Sequence, residues 1–336
     1  MAKMKAFVAA SKKAQPKLTK IDIPQIADNE VLVEVAAASI NPVDQLYRLM
    51  QIGMQIKTEY PFTLGNDFSG TVVAKGKNVN KYQLGDQVYG RIKETNSGTF
   101  AEYVAIESQY IALIPQNISL IEAALIPLVG LTAYQALFDR LNLQAGQKIF
   151  INAGSGGVGS LAIQLAKAKG AYVATTISPK NKELVESLGA DEIIDYHQTD
   201  FSKVLHDYDA VFDTHGKGDT TKALQILNPG GKLVTIAGIP TTKLVKERNL
   251  NLFRKLVIKL ISRSIVKEVR RRKVSYQFLL MNPDGNQLQK LTELIEDNKV
   301  KPIVDRTFEF DQVEDALKYS DQGHNVGKVI LTMKKD

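Results

Sequence analysis

The chain has 336 residues, a net charge of +7, 44% hydrophobic and 24% charged residues; these are globular proportions, with length enough for two domains. It contains no cysteine, which excludes disulfides, thiolate nucleophiles and cysteine-ligated zinc. Its first residues form no apolar core of signal-peptide length and no apolar run could cross a bilayer, so a cytoplasmic location is expected.

From residue 1 to about 120 the pattern is one of short β-rich runs. Glu30–Val35 and Gly70–Ala74 are examples, broken by turn signals at Gly76, Asn78, Asn80, Gly85-Asp86 and Asn96-Ser97-Gly98. This predicts a barrel-like β domain. From about 121 to 270, strand and helix patterns alternate, as a doubly wound parallel sheet requires. The central signal is the stretch from Gly146 to Ser178. A β-rich run, Lys148–Asn152, leads into Gly154, Gly156 and Gly159 in G-x-G-x-x-G spacing, with Gly157 as an extra glycine. An apolar helical pattern follows from Ser160 to Lys169, Gly170 stops it, and Tyr172–Ile177 restores β character. With strand before and helix after, the glycines predict a dinucleotide site. One makes the tight turn, one admits the pyrophosphate, and one lets helix and strand pack closely.

The end of the second strand selects between dinucleotides. A carboxylate there would hold a ribose 2′-hydroxyl. This chain instead reads Ser178, Pro179, Lys180, Asn181, Lys182, and the first carboxylate is Glu183. Hydroxyl, amide and positive charge suit a 2′-phosphate, so NADPH is expected. Further along, the pattern predicts a helix over Lys182–Leu188, strands at Glu192–Tyr196, Asp209–Asp213 and Lys232–Ile236, and a helix ending before Asn228-Pro229-Gly230-Gly231.

Between Lys243 and Lys273 there are twelve Lys/Arg against Glu247 and Glu268. The positive charge is therefore local, which argues against general nucleic-acid binding. Within Leu252–Val269, Lys255, Lys259, Arg263 and Lys267 recur every four residues, as do Phe253, Val257, Ile261 and Ile265 on another face. That predicts an amphipathic helix with its apolar side in the core and its basic side in water. A peripheral membrane contact and a site for acidic substrate groups are the alternatives. The last part returns to mixed β and α, with an amphipathic helix near Gln287–Asn298 and a strand at Val326–Met333.

Nearly the whole chain resembles the medium-chain dehydrogenase/reductase superfamily in its zinc-free quinone oxidoreductase branch. The segments that carry the resemblance include SINPVDQLYR (39–48), PFTLGNDFSGTV (61–72), GTFAEYVAI (98–106), AALIPLVGLTAYQAL (123–137), AGSGGVG (153–159), NPGGKLVTIAG (228–238) and GHNVGKVIL (323–331). The resemblance implies a GroES-like β-barrel catalytic domain from residues 1–122 and 271–336, a Rossmann domain at 123–270, and an active-site cleft between them. It also implies NADPH-dependent reduction of quinones or α,β-unsaturated carbonyls, commonly by homodimers. An enoyl-thioester reductase is the nearest alternative, and a non-catalytic, crystallin-like NADPH-binding protein is the alternative of another class.

Carried over residue by residue, the resemblance implies that Gly154, Ser155, Gly156, Gly157, Val158 and Gly159 hold the pyrophosphate. Ser178, Lys180 and Asn181 would take the 2′-phosphate, and Tyr196 the adenosine end. Thr132, Ala237, Gly238, Ile239 and Asn325 would lie around the nicotinamide. Asn41 and Asp44 would line the floor near the reacting carbon, with Asp44 and Arg48 capping and bracing a helix in the alternative reading. Asp67 reads as a buried or turn residue. Relatives carry a tyrosine where this chain has Leu46, and Tyr47 or Tyr60 is the substitute hydroxyl. No metal is expected: His197, His206, His215 and His324 match none of the family's ligand positions, and His215 reads as a satisfied loop residue.

Overall fold

The computed structural model describes residues 2–11, 14–44, 60–93, 98–216, 218–242, 244, 252–323 and 325–333, without the side chains of 252 and 253. Two compact units emerge. One contains Met1–Leu131 and Asn282–Asp336, the other Thr132–Met281. These bounds lie beyond the expected 122/123 and 270/271 divisions. The second difference has a clear cause: the strand Ser275–Phe278 pairs with the central sheet and takes the chain past 271.

In the first unit, β1 (Lys3–Ala9), β2 (Lys17–Asp22), β3 (Glu30–Ser39), β4 (Phe62–Thr63), β5 (Asp67–Lys75), β6 (Gln87–Arg91), β7 (Tyr103–Glu107) and β8 (Ile111–Leu113) precede the crossing into the second unit. Strands β3, β5, β6 and β8 are successive antiparallel neighbours, and β7 also pairs with β3. Inward residues at every second position make the core, as a half-buried strand requires: Val31, Val33 and Val35 of β3 pack with Phe68, Val88, Val104 and Ile106. The chain returns through helix Gly285–Glu296, whose first turn is capped by Asp284. It ends in β15 (Val304–Glu309) and β16 (Lys328–Thr332), the latter paired with β3.

The second unit has β9 (Lys148–Ile151), β10 (Tyr172–Ile177), β11 (Glu192–Asp195), β12 (Tyr208–Asp213), β13 (Leu227–Thr235) and β14 (Ser275–Phe278). The six strands are parallel and lie in the order β11-β10-β9-β12-β13-β14. Counted from β9, this is the 3-2-1-4-5-6 order of a doubly wound dinucleotide fold, with its switch point between β9 and β12. Gly170, at φ +82°, and Gly189, at φ +92°, stop the two helices where expected. The Asn228-Pro229-Gly230-Gly231 run lies inside β13, where the register with β12 shifts.

The basic segment differs most from expectation. It forms two helices, Leu252–Ile261 and Arg263–Arg272, with Ser262 between them. Val257 is 43% exposed and Ile261 49% exposed, so neither belongs to the core face assigned to them. Among the described side chains of that predicted row, Ile265 alone is buried, in the cluster with Phe150 and Leu233, and Val269 packs against it. The docked face is instead rotated to Ile258, Ser262, Ile265 and Val269. No helix among the described residues is long and apolar enough to cross a membrane.

Candidate active site and cofactor loop

The fingerprint glycines have separate jobs. A Cβ on Gly154 would strike the Thr175 side chain of β10, and one on Gly159 would strike the Ala153 carbonyl. Both therefore permit close packing. A Cβ on Gly156 meets nothing nearer than Ala153 O, at 3.4 Å. Its missing side chain leaves space beside the loop. The loop turns because Ala153 adopts φ +53° and its carbonyl accepts from Gly156 N at 3.1 Å. Helix Gly157–Ala168 then starts at Gly156 with no side-chain cap, which leaves first-turn N–H groups for an anion. Ser155, Gly156, Gly157 and Val158 are half-buried, and Gly159 is buried. An uncapped helix start beside a side-chain-free position fits a pyrophosphate.

The end of β10 lies beside this loop. Asn181 Nδ2 donates to Ser155 Oγ at 2.9 Å. Ser178 is half-buried and Lys180 exposed, in the turn between β10 and the next helix. Tyr196 follows β11. It is 57% exposed, its ring centroid is 4.3 Å from that of His197, and its N–H donates to Ile177 O.

A buried carboxylate organises the other side of the switch point. Asp213, at the end of β12, is fully buried. Its Oδ1 accepts from Asn152 Nδ2 at 2.8 Å, Gly216 N at 2.9 Å and His215 N at 3.2 Å. Its Oδ2 accepts from Thr220 Oγ1 at 2.5 Å and Thr235 Oγ1 at 3.0 Å. Thr235 Oγ1 in turn accepts from Gly238 N at 2.8 Å and Ala237 N at 3.2 Å. Asp213 thus ties together the ends of β9, β12 and β13, where open α/β sheets bind ligands. Sequence reasoning missed this role. The available signal was an acid closing the apolar run Ala210–Phe212. Ile239 is half-buried, and its carbonyl accepts from Tyr276 Oη at 2.7 Å. Thr132 is buried in helix Ile126–Tyr134. His215 is held by Asp219 at 2.8 Å, a satisfied loop histidine.

The first unit holds a second polar assembly. Strands β3, β5 and β16 are neighbours, with Ser39 opposite both Asp67 and Ile330. Their ends therefore gather Ser39, Asn41, Asp44, Asn66, Asp67 and Lys328, all buried. Asn41 Nδ2 donates to Asp67 Oδ2 at 3.0 Å, and Ser39 Oγ donates to the same oxygen at 2.7 Å. Lys328 Nζ donates to Asn41 Oδ1 and to Ile40 O. Asp44 accepts from Asn41 N at 2.7 Å and from Asn66 Nδ2. Burial dominates the charge states. It pushes Asp44 up to about 7 despite the bonds from Asn66 and Asn41. It also raises Asp67 and lowers Lys328 to about 8, each partly offset by the attraction between the two.

Asn41 and Asp44, expected at the floor near the reacting carbon, are thus interior and fully engaged. Asp44 accepts from the Asn41 N–H at the start of its own helical turn, as the third-position acid of a capping box does. The sequence did not single out Asn66 or Lys328, although a lysine opening the apolar strand Lys328–Leu331 was the available sign. Asn325 donates to Ser320 O and Oγ, both at 3.3 Å. Tyr47, Leu46, Arg48 and His324 lie outside the described residues. Among the described residues, no cluster of three or more His, Asp or Glu side chains is arranged to hold a metal ion.

Two family models match: the alcohol dehydrogenase GroES-like domain over residues 27–116, and the zinc-binding dehydrogenase domain over residues 188–331. The chain is 36% identical over 323 residues to the Arabidopsis thaliana chloroplastic NADPH-dependent alkenal/one oxidoreductase, covering 93% of this chain and 74% of the relative. The solved quinone oxidoreductase of Coxiella burnetii superposes with a TM-score of 0.83 at 29% identity, covering 99% of this chain and all of that one. The CurK enoyl reductase superposes with a TM-score of 0.79 at 25% identity, covering 99% of each chain. With a GroES-like unit, a 3-2-1-4-5-6 parallel sheet and this degree of identity, the chain belongs to the medium-chain dehydrogenase/reductase superfamily, in its quinone oxidoreductase branch.

Proposed function

We propose that this protein is an NADPH-dependent, metal-free reductase that delivers hydride to quinones or α,β-unsaturated carbonyl compounds. The observation that carries the reading is the fingerprint loop. It has open space at Gly156 and is bonded through Asn181 to a β10 end that offers Ser178 and Lys180 and no carboxylate. The bound dinucleotide supplies hydride, and the chain supplies the rest. N–H groups of the uncapped helix start, from Gly157 to Gly159, hold the pyrophosphate, and Gly154, Ser155 and Gly156 shape the loop around it. Ser178, Lys180 and Asn181 take the 2′-phosphate, and Tyr196 lines the adenosine end. Thr132, Ala237, Gly238, Ile239 and Asn325 serve the nicotinamide half, with Asp213 fixing the Ala237-Gly238 backbone through Thr235.

Negative charge develops on the acceptor oxygen as reduction proceeds, so a donor aimed at it accelerates the reaction. We assign that donor to Tyr47 or Tyr60. Asn41 and Asp44 become positioning residues, because their polar atoms are bonded inside the domain. The names of the alkenal/one and quinone oxidoreductase relatives support the acceptor class. Likeness to an enoyl reductase favours enoyl thioesters as a second reading. A homodimer and a cytoplasmic setting complete the proposal, although the Arabidopsis relative is named as chloroplastic. Sedimentation and cell fractionation test these two points. The function is tested by NADPH oxidation against quinones, enals and enoyl thioesters. Turnover with the first two classes is expected, and no turnover with any class would refute it.

A further inference from the structure

The outward side of the helix Leu252–Ile261 is apolar. Leu256 is 58% exposed, Leu260 65%, Ile261 49% and Val257 43%. Four large aliphatic side chains in water within one helix are not scattered singletons, and such a patch marks an interaction surface. On the other side Ile258 of this helix is half-buried, and just beyond it Ser262 and, in the next helix, Ile265 are buried, the latter inside the core of the second unit. Leu256, Val257, Leu260 and Ile261 are thus turned away from the unit.

The surroundings of the patch say what covers it. Residues 252–273 carry nine Lys/Arg and one acid, Glu268. That acid is already engaged by Arg271 and Arg272. Lys255, Lys259, Arg263, Lys267 and Arg270 are exposed, along the edge of the apolar patch and on into the next helix. A protein partner would have to match both a greasy strip and a nearly uncompensated positive rim. A polyanion such as RNA would meet the rim and leave the leucines in water. An anionic lipid surface satisfies both: aliphatic side chains enter the headgroup–acyl boundary while lysines and arginines stay at headgroup level.

We propose that this helix pair is a docking surface for anionic lipid bilayers, with Leu256, Leu260, Val257 and Ile261 inserted and Lys255, Lys259, Arg263 and Lys267 paired with headgroups. A peripheral reductase held in this way would reach acceptors that partition into membranes.

Flotation of the full chain tests it, with vesicles of phosphatidylcholine alone or of an equal mixture with phosphatidylglycerol. Wild-type protein is expected to float with the mixed vesicles only, and to be released by salt. Leu256→Ser/Leu260→Ser, and separately Lys255→Gln/Lys259→Gln/Arg263→Gln/Lys267→Gln, should each reduce the partition about tenfold or more while NADPH binding is retained. Three results would overturn the proposal. The first is wild-type protein that does not float. The second is a serine variant that floats unchanged, which would mark a site for polyanions. The third is wild-type protein that stays in solution as an oligomer that the serine variant splits, which would make the patch a contact between copies of the chain.

Discussion

Asn181 Nδ2 and Ser155 Oγ are 2.9 Å apart, so the turn after β10 is tied directly to the phosphate loop after β9. The turn proposed to read the ribose end is thus hydrogen-bonded to the loop proposed to hold the pyrophosphate. Replacing Lys180 with Glu should weaken NADPH binding about tenfold, because a carboxylate repels the 2′-phosphate, and should leave NADH binding little changed. Fluorescence titration with both nucleotides measures the two constants. Equal losses for the two would remove Lys180 from the 2′-phosphate site.

The fingerprint glycines should separate by phenotype. Gly156→Val points its side chain into open space, so the fold should survive while NADPH binding is lost. Gly154→Val and Gly159→Val drive a side chain into Thr175 and the Ala153 carbonyl, and should lower the melting temperature. Thermal melts run beside nucleotide titrations distinguish the two classes. A destabilised Gly156→Val with intact affinity would reverse the assignment.

Asp213 binds three strand ends at once. Asp213→Ala leaves Asn152, Thr220 and Thr235 with buried unmatched groups and should cost about 3 kcal/mol or more. Chemical denaturation reads that loss. Nucleotide affinity should fall with it, because the Ala237-Gly238 backbone is held through Thr235. A variant with wild-type stability would show that the network contributes nothing.

These residues also mark how far the sequence could be read. The loop, its helix and the parallel strands were legible because each is local: glycine spacing, periodicity and stops sit within a few dozen residues. The polar assembly was not, because Asn41 and Lys328 are 287 residues apart and meet only through the pairing of β3 with β16. The basic helix failed for another reason. Val257 and Ile261 follow a four-residue repeat, but a repeat defines a stripe without saying which side of the helix docks. Ile265 and Ser262 decide that, through tertiary contact.

Buried Asp44 gives a pH signature. Its folded value of about 7 lies above its ordinary 3.8. The stability it contributes is therefore fully present below about pH 4 and lost as pH rises through 7. Lys328 works in a higher window: its folded value of about 8 lies below 10.5, so stability increases between those values as it loses its charge. Asp67, Lys328 and Arg91 are the charged groups around these sites. Wild-type unfolding free energy should fall between pH 4 and 7 by on the order of 1 kcal/mol per pH unit, and Asp44→Asn should flatten that slope. Denaturant titrations across this range measure it. An unchanged slope in the variant would place the ionisation elsewhere.

Metal removal should leave activity intact. The chain has no cysteine, and Asn41 and Asn66 are engaged by Asp67, Lys328 and Asp44 rather than free to ligate. Exhaustive chelation followed by NADPH oxidation assays, with elemental analysis of the purified protein, tests this. One zinc per chain whose loss abolishes turnover would contradict it.

We propose that the loop from Gly154 to Gly159 and the β10 end form one NADPH site. Calorimetric titration of the purified protein with NADPH and then NADH measures it most directly. One site per chain is expected, with an NADPH dissociation constant at least about tenfold below that for NADH, the preference a charge-assisted 2′-phosphate contact confers. Equal constants, or tighter binding of NADH, would contradict it.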